Sequence, residues 1–284
     1  MTLKPTRRIF IKSAGMGITV CSYSAVFGSW GKNELVIENE STERINLGLA
    51  SYTFKEFSLD ETISMTQRLG IKHIALKSFH LPLESSKDEI IAAAAKVRAG
   101  GLDLYGCSVV VLKDVNEISQ VFEYAKTAAM KMIIAQPESH LLELINRKVQ
   151  EYNIMFAIHN HGPEDNNFPF PQVTYEKIKT LDSRIGLCID VGHAKRSGTD
   201  PSECIKKCAD RLMDVHIKDL RTISRIADPV EVGRGKLDIP GILRTLLSIN
   251  YSGIVSLEYE KDAKDPIPGV AESIGYIRGI LAVI

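Results

Sequence analysis

The sequence has no excess of either charge, because 35 Lys and Arg residues balance 35 Asp and Glu residues. Proteins that bind nucleic acid cluster Lys and Arg on one surface, so the balance predicts no nucleic-acid partner. Cysteine is scarce as well. The five cysteines are an odd number without regular spacing, which argues against a disulfide framework. The glycine-rich fingerprint of nucleotide-binding α/β folds is also missing after the first predicted strand.

No apolar run in the sequence is long enough for a permanent membrane anchor. The N-terminus instead has a basic start with Arg7 and Arg8, followed by a short, weakly apolar segment at 14–27. This order is typical of an export signal, and the paired arginines resemble the twin-arginine type. We therefore expect an export signal at 1–30 and a polar linker at 31–44, the alternative for the start being an amphipathic helix.

The expected location is the periplasm, with membrane association only if the signal is not cleaved. The mature chain is expected to lack a stable membrane span. A homo-oligomer is compatible with the sequence.

From residue 45 onward, short apolar segments alternate with helical patterns. The predicted strands are 45–50, 73–76, 102–112, 132–135, 154–158, 186–189, 212–217 and 254–257, and the predicted helices are 59–69, 87–99, 115–130, 138–152, 173–181, 201–209, 239–249 and 270–284. Eight such pairs predict a single (β/α)8 TIM barrel of the α/β class over 45–284. A doubly wound open sheet is the alternative, but it would not gather the strand ends into one ring.

Four of the predicted strands end in potential metal ligands, which are His159, Asp190, His216 and Glu258. In a TIM barrel the carboxyl ends of the strands form the active site. Two imidazoles and two carboxylates suit Mn²⁺, Zn²⁺, Co²⁺ or Fe²⁺ better than Ca²⁺. Each residue alone could be a hydrogen-bonded strand end. Four polar groups together would be costly to bury without a shared partner, so the pattern predicts one divalent metal ion.

The residues around these strand ends also carry a family resemblance. The motifs are 158–162 (IHNHG), 190–193 (DVGH), 215–219 (VHIKD), 233–235 (GRG) and 257–260 (LEYE). With them, the chain from about residue 45 to its end resembles the xylose-isomerase-like TIM barrels of the sugar phosphate isomerase/epimerase superfamily. The resemblance implies one metal bound at the ends of strands five to eight, and a sugar-like substrate chelated through two adjacent oxygens.

One position departs from the family pattern. In the ketose 3-epimerases of this superfamily the strand-five ligand is a glutamate that also moves protons, whereas this chain has His159. The departure keeps the metal but argues against a two-glutamate epimerase mechanism. Glu258 could then act as ligand and base together, and His193 could be the second acid or base or bind a substrate hydroxyl. His161 lies on the same strand face as His159, so it is either the ligand in its place or a substrate contact.

Further substrate-binding residues are predicted from their positions at or after strand ends. They are Lys77, His80, Gln136, His161, Lys218 and Arg234. For each charged member, a solvated surface charge is the alternative.

The sequence thus predicts a metal-dependent sugar isomerase or epimerase. It would act on a ketose or keto-sugar through a metal-stabilised enediolate. A lyase or hydrolase of 3-keto-glycosides could use the same metal site, since elimination needs one base and one acid. A non-catalytic sugar-binding barrel is a third alternative.

Overall fold

The structure is a computed structural model, and it describes residues 44–284. The predicted export signal at 1–30 and nearly all of the linker lie outside the described residues. We number the barrel strands and the α-helices in chain order. The strands are β1 (Asn46–Ala50), β2 (His73–Leu76), β3 (Asp103–Leu112), β4 (Met132–Pro137), β5 (Met155–His159), β6 (Ile185–Asp190), β7 (Leu212–Ile217) and β8 (Ile254–Leu257). The helices are α1 (Leu59–Arg68), α2 (Lys87–Ala99), α3 (Val115–Thr127), α4 (Leu142–Tyr152), α5 (Pro171–Ile178), α6 (Val191–Arg196), α7 (Pro201–Lys207), α8 (Ile239–Ser248) and α9 (Ile267–Leu281).

The eight strands close into one parallel barrel, in which each strand pairs with its neighbours in the chain and β1 pairs with β8. This confirms the predicted fold. Most strand residues are buried on both faces, as expected where helices cover the outside and side chains fill the inside. The register pairs Asp190 with His216 and His159 with Cys188, so the ends of β5, β6 and β7 lie at one level.

The helices begin where the sequence provides caps. The side chains of Ser58, Ser86 and Asp114 each accept a hydrogen bond from a backbone N–H in the first turn. In return, the side chain of the glutamate three residues later accepts a hydrogen bond from the backbone N–H of the cap residue. Such capping boxes satisfy donors that the helix itself cannot pair. The helices therefore start at fixed residues and pack their apolar sides onto the barrel.

The segment after β6 differs from the prediction, because two helices follow this strand instead of one. Asp190 caps α6 by accepting a hydrogen bond from His193 N at 2.7 Å. Gly198, with a φ of +78°, turns the chain after α6, and Asp200 then caps α7. His193 consequently lies on a helix rather than on a loop.

Asp219 holds the loop between β7 and α8. Its buried carboxylate accepts hydrogen bonds from the backbone N–H groups of Gly233 (3.0 Å), Gly235 (2.9 Å) and Leu237 (3.1 Å), and from that of its neighbour Leu220. A Cβ atom at Gly235 would overlap the carboxylate. The aspartate of the VHIKD motif therefore orders the loop that carries the GRG motif.

Within 44–284, no helix combines the length and apolarity needed to cross a bilayer.

We expect Asp219→Asn to destabilise the fold, because the new amide group would face backbone N–H donors at Gly233 and Gly235 instead of accepting from them. Hydrogen bonds to a charged group contribute about 1.5–3 kcal/mol each, so the free energy of unfolding in urea should fall by about 3 kcal/mol. Asp228→Asn, at an exposed position of the same loop, is the control. Equal stability of the two variants would contradict this role of Asp219.

Candidate functional site

The four predicted metal ligands meet at the carboxyl end of the barrel. His159 and Asp190 end β5 and β6, His216 lies one residue before the end of β7, and Glu258 directly follows β8. One ligand atom from each residue lies within 4.8 Å of the others. The shortest of the histidine–carboxylate distances are 3.5 Å, from His159 Nε2 to Asp190 Oδ2 and from His216 Nδ1 to Glu258 Oε2. We call these residues the four-residue cluster.

The cluster contains buried atoms without hydrogen-bond partners. They are both ring nitrogens of His159, Nδ1 of His216 and Oδ2 of Asp190. Asp190 Oδ2 lies 2.9 Å from the ammonium of Lys218, but as an ion pair and not as a hydrogen bond of good geometry. Unpartnered buried polar atoms are rare and costly. Two imidazoles and two carboxylates whose ligand atoms converge in this way fit a divalent cation with nitrogen and oxygen ligands.

The position of Asp190 is fixed on two sides. Its backbone N–H donates to Oδ1 of Asn160 at 2.9 Å, and its backbone carbonyl accepts from Nδ2 of Asn160 at 3.1 Å. Its Oδ1 is occupied as the cap of α6, where it accepts from His193 N. Only Oδ2 is therefore left to point into the cluster. Burial alone would raise the pKa of Asp190, but the groups around it, the ammonium of Lys218 among them, outweigh burial and hold the pKa below its usual range.

His216 is oriented from behind. Its Nε2 lies 3.3 Å from the hydroxyl of Ser108 and 4.0 Å from Oδ1 of Asp214. A partner on one ring nitrogen fixes the tautomer and leaves the other nitrogen free for a metal. Here the free nitrogen is Nδ1, which faces Glu258. Asp214 is fully buried inside the barrel, and burial raises its pKa to about 6.

His193 is neutral and directed toward Asp190. Burial lowers its pKa to about 3. Arg196 Nη1 lies 2.9 Å from His193 Nδ1 and donates to it, so the proton is on Nε2, which lies 4.0 Å from Asp190 Oδ2. The His161 ring stacks on His193 with ring centroids 4.9 Å apart. Burial also lowers the pKa of His159, to about 4, so this imidazole is neutral and able to bind a metal.

Lys218 lies closer to the cluster than the sequence suggested. Its ammonium is 2.9 Å from Asp190 Oδ2 and 2.7 Å from Glu258 Oε2, and it also contacts Glu260. The side chain is only 4% exposed. Lys218 is thus a buried cation among three carboxylates.

Two other predicted substrate contacts lie near the mouth of the barrel. Lys77 is half-buried after β2, donates to the carbonyl of Val109, and interacts electrostatically with Glu258. Burial lowers the pKa of Lys77. Gln136 donates to Asp165 Oδ2 at 2.9 Å. These positions leave both residues as candidates for substrate binding.

Two further predicted substrate contacts, His80 and Arg234, have protein partners in the structure. His80 is buried, with Nδ1 2.9 Å from Ser51 Oγ and Nε2 3.0 Å from Thr62 Oγ1. Because both ring nitrogens are occupied, His80 joins the segment after β1 to α1. Arg234 forms an exposed ion pair with Glu272 and lines a separate cleft of about 740 Å³ between the loops after β8 and α9.

Sequence reasoning missed four residues around the cluster, which are Ser108, Asn160, Asp214 and Glu260. Two of them, Asn160 and Glu260, could have been found from a sequence pattern. Asn160 lies inside the IHNHG motif, and Glu260 follows Glu258 at a spacing of two, which places both on one face of an extended chain. Ser108 and Asp214 lie within apolar strands, where no pattern distinguishes them from core residues.

The closed barrel and the ligand cluster at the ends of β5–β8 define the class, an α/β barrel with a candidate metal centre. The model of the Xylose isomerase-like TIM barrel family matches residues 106–280. The chain belongs to this family, which confirms the resemblance found in the sequence.

Curated relatives include an inosose dehydratase of Bacillus anthracis, 26% identical over 260 residues that cover 84% of this chain and 78% of that protein. Rhizopine catabolism protein MocC of Rhizobium meliloti is 28% identical over 148 residues. That match covers 45% of this chain and 44% of the relative, so the chain spans less than half the length of MocC.

Solved structures share the fold. The IOLI protein, crystallised with a binding zinc atom, superposes with a TM-score of 0.71 at 18% identity and covers 84% of this chain and 98% of its own. L-ribulose 3-epimerase superposes with a TM-score of 0.69 at 15% identity and covers 84% and 95%. The sequence relatives thus include a dehydratase, and the solved structures that share the fold include an epimerase.

We expect Asp190→Ala and His216→Ala to weaken metal binding by roughly 100-fold or more, since each removes a ligand and even outer-shell changes cost 10–100-fold. Metal content after dialysis against Mn²⁺ or Zn²⁺ measures this. His140→Ala, at an exposed position, is the control.

A second ligand set is geometrically available, because Cys188 lies within the same distance of His159 and His216. Burial raises the pKa of the Cys188 thiol well above its ordinary value, and the thiol points to Asp214 Oδ1 at 3.8 Å. Metals bind the thiolate. Cys188→Ser should therefore keep its metal in the same experiment. Undiminished metal in Asp190→Ala, or loss of metal in Cys188→Ser, would contradict the assignment to the four-residue cluster.

Proposed function

We propose that this protein is a metal-dependent isomerase or epimerase of a ketose or keto-sugar, which removes the proton next to the carbonyl group. The observation that supports it most is the convergence of ligand atoms from His159, Asp190, His216 and Glu258. Those of His159, Asp190 and His216 are buried and have no hydrogen-bond partner. These four residues would hold the metal. When bound, a divalent metal polarises the carbonyl and lowers the energy of the enediolate that remains after proton removal.

Glu258 is the proposed base. Burial alone would raise its pKa, but Lys218 and His216 outweigh burial and hold the pKa well below its usual range. The carboxylate is therefore free of a proton. It is also the one glutamate of the four-residue cluster, so it can bind the metal through one oxygen and accept a substrate proton at the other.

His193 is the proposed acid and hydroxyl contact. Its neutral imidazole carries the proton on Nε2, which points toward the cluster, while Arg196 and the stacked ring of His161 hold the ring in place. The N–H of a neutral imidazole can donate a hydrogen bond to a substrate oxygen and stabilise negative charge that develops there. Lys77, Gln136 and His161 are the proposed contacts for the remaining hydroxyl groups.

Elimination from a keto-sugar or 3-keto-glycoside is the second candidate. Two observations favour it. The site provides one carboxylate base and a chemically different acid, whereas epimerisation through two glutamates would need a carboxylate where His159 lies. The relative from Bacillus anthracis is an inosose dehydratase. In this reaction Glu258 would take the proton next to the carbonyl, and His193 would protonate the group leaving the β-carbon.

Incubation in heavy water with a ketohexose, an inosose or a 3-keto-glucoside should separate the candidates. Deuterium uptake without loss of water or aglycone supports isomerisation or epimerisation. Loss of water or release of the aglycone supports elimination. Tight binding without deuterium uptake or product would contradict both and indicate a non-catalytic sugar-binding barrel.

Glu258→Gln should lower the rate of deuterium uptake, measured at saturating metal, by roughly 10²–10⁴-fold, the usual contribution of a general base. Glu231→Gln, which breaks an ion pair with Lys261 outside the four-residue cluster, should keep at least half the rate.

We also propose export of the protein to the periplasm by the signal at 1–30, which makes an unphosphorylated sugar the expected substrate. The double change Arg7→Lys and Arg8→Lys should retain the protein in the cytoplasm, because the paired arginines are the feature that the twin-arginine route reads. Cell fractionation measures this, and unchanged export would contradict the proposal.

A further inference from the structure

Lys218 occupies an unusual position for a cation beside a candidate metal centre. Its ammonium lies 2.9 Å from Asp190 Oδ2 and 2.7 Å from Glu258 Oε2. These two atoms face the four-residue cluster, and Glu258 Oε2 is also the oxygen nearest to His216 Nδ1. The ammonium and a bound metal would therefore draw on the same two oxygens.

Two features of the chain place Lys218 there, its spacing from His216 and the space above Gly192. Lys218 follows His216 by two residues, so both project from one face of the chain at the end of β7. Its stem passes directly over Gly192 at the start of α6. A Cβ atom at Gly192 would lie 2.7 Å from Lys218 Cγ and 2.8 Å from Cδ. The glycine of the DVGH motif thus provides the space that the lysine stem needs.

Glu260 gives the ammonium a third partner outside the four-residue cluster. It contacts Lys218 directly, and its side chain is 31% exposed, against 10% for Glu258 and 0% for Asp190. A small movement of the lysine head toward Glu260 would release Asp190 and Glu258 without leaving the ammonium unpaired. A buried charge that lost every partner would be strongly destabilising.

We propose that the Lys218–Glu260 pair sets the metal affinity of the site. Lys218 competes with the metal for the oxygens of Asp190 and Glu258, and Glu260 holds the ammonium when the metal takes them. Lys218 is in this sense a positioning residue for the metal rather than a ligand. The inference rests on the proposed metal site, but not on which reaction the site performs.

Two substitutions should act in opposite directions. Lys218→Met removes the competing charge and leaves the carboxylates without a cation. Its affinity for Mn²⁺ or Zn²⁺ should rise by roughly tenfold or more, because a unit charge held within about 4 Å interacts strongly even at an intermediate dielectric. Glu260→Gln removes the alternative partner, so the ammonium stays with Asp190 and Glu258. Its metal affinity should fall by roughly threefold to tenfold.

Metal dissociation constants of the full chain, measured at pH 8 by competition with a chromophoric chelator, provide the test without any assay of activity. Thermal unfolding with and without metal is a second readout. Lys218→Met should melt below the wild-type protein without metal and gain more from added metal, since a ligand that binds more tightly stabilises the folded state more.

Lys261 and Glu231 offer a matched control pair. They form a lysine–glutamate ion pair of 2.7 Å near the same end of the barrel, apart from Asp190 and Glu258. Lys261→Met and Glu231→Gln should leave the metal affinity within about twofold of the wild-type value. A wild-type protein without measurable metal binding would overturn the proposed metal centre itself. Normal binding by the wild type, with unchanged or weaker binding by Lys218→Met, would overturn only the role of Lys218.

Discussion

The burial of the Asp190 carboxylate is the constraint on which the rest of the site depends. An ionised carboxylate inside a protein needs partners for both oxygens. Oδ1 accepts a hydrogen bond at the N-terminus of α6, and Oδ2 faces the four-residue cluster and Lys218. Asn160 fixes the backbone that carries the group. The end of β6, the start of α6 and the charge of the cluster are therefore consequences of the same aspartate.

The neutral state of the histidines complements this charge. Burial keeps the imidazoles of His159 and His193 in their neutral form, with pKa values of about 4 and 3. The ammonium of Lys218 is therefore the cation that lies closest to the carboxylates of Asp190 and Glu258. The two carboxylates and the neutral imidazole of His159 give the cluster an affinity for cations. Either the ammonium of Lys218 or a divalent metal can bind to these carboxylates.

Much of this arrangement could be predicted from the sequence, because it depends on short-range patterns. Apolar segments of strand length, separated by capped helices, predict the barrel. The barrel in turn brings the strand ends His159, Asp190, His216 and Glu258 together. The missed features depend on contacts between distant segments. Asp214 and Ser108 reach His216 only inside the closed barrel, and the buried position of Lys218 requires the space above Gly192.

The presence of His159 at the end of β5 has an electrostatic consequence for the proposed chemistry. A carboxylate there would give the cluster a third negative charge, which would offset more of the charge of a divalent metal. With a neutral imidazole, two carboxylates would balance the two positive charges of a bound metal, and more of its field would act on a substrate oxygen that becomes negative. The same replacement removes one proton-accepting group and leaves Glu258 as the carboxylate base with His193 beside it. A strong electrophile with one base and one neutral acid suits any reaction that begins with proton removal next to a carbonyl. It suits elimination at least as well as epimerisation, since a leaving group needs an acid that differs from the base.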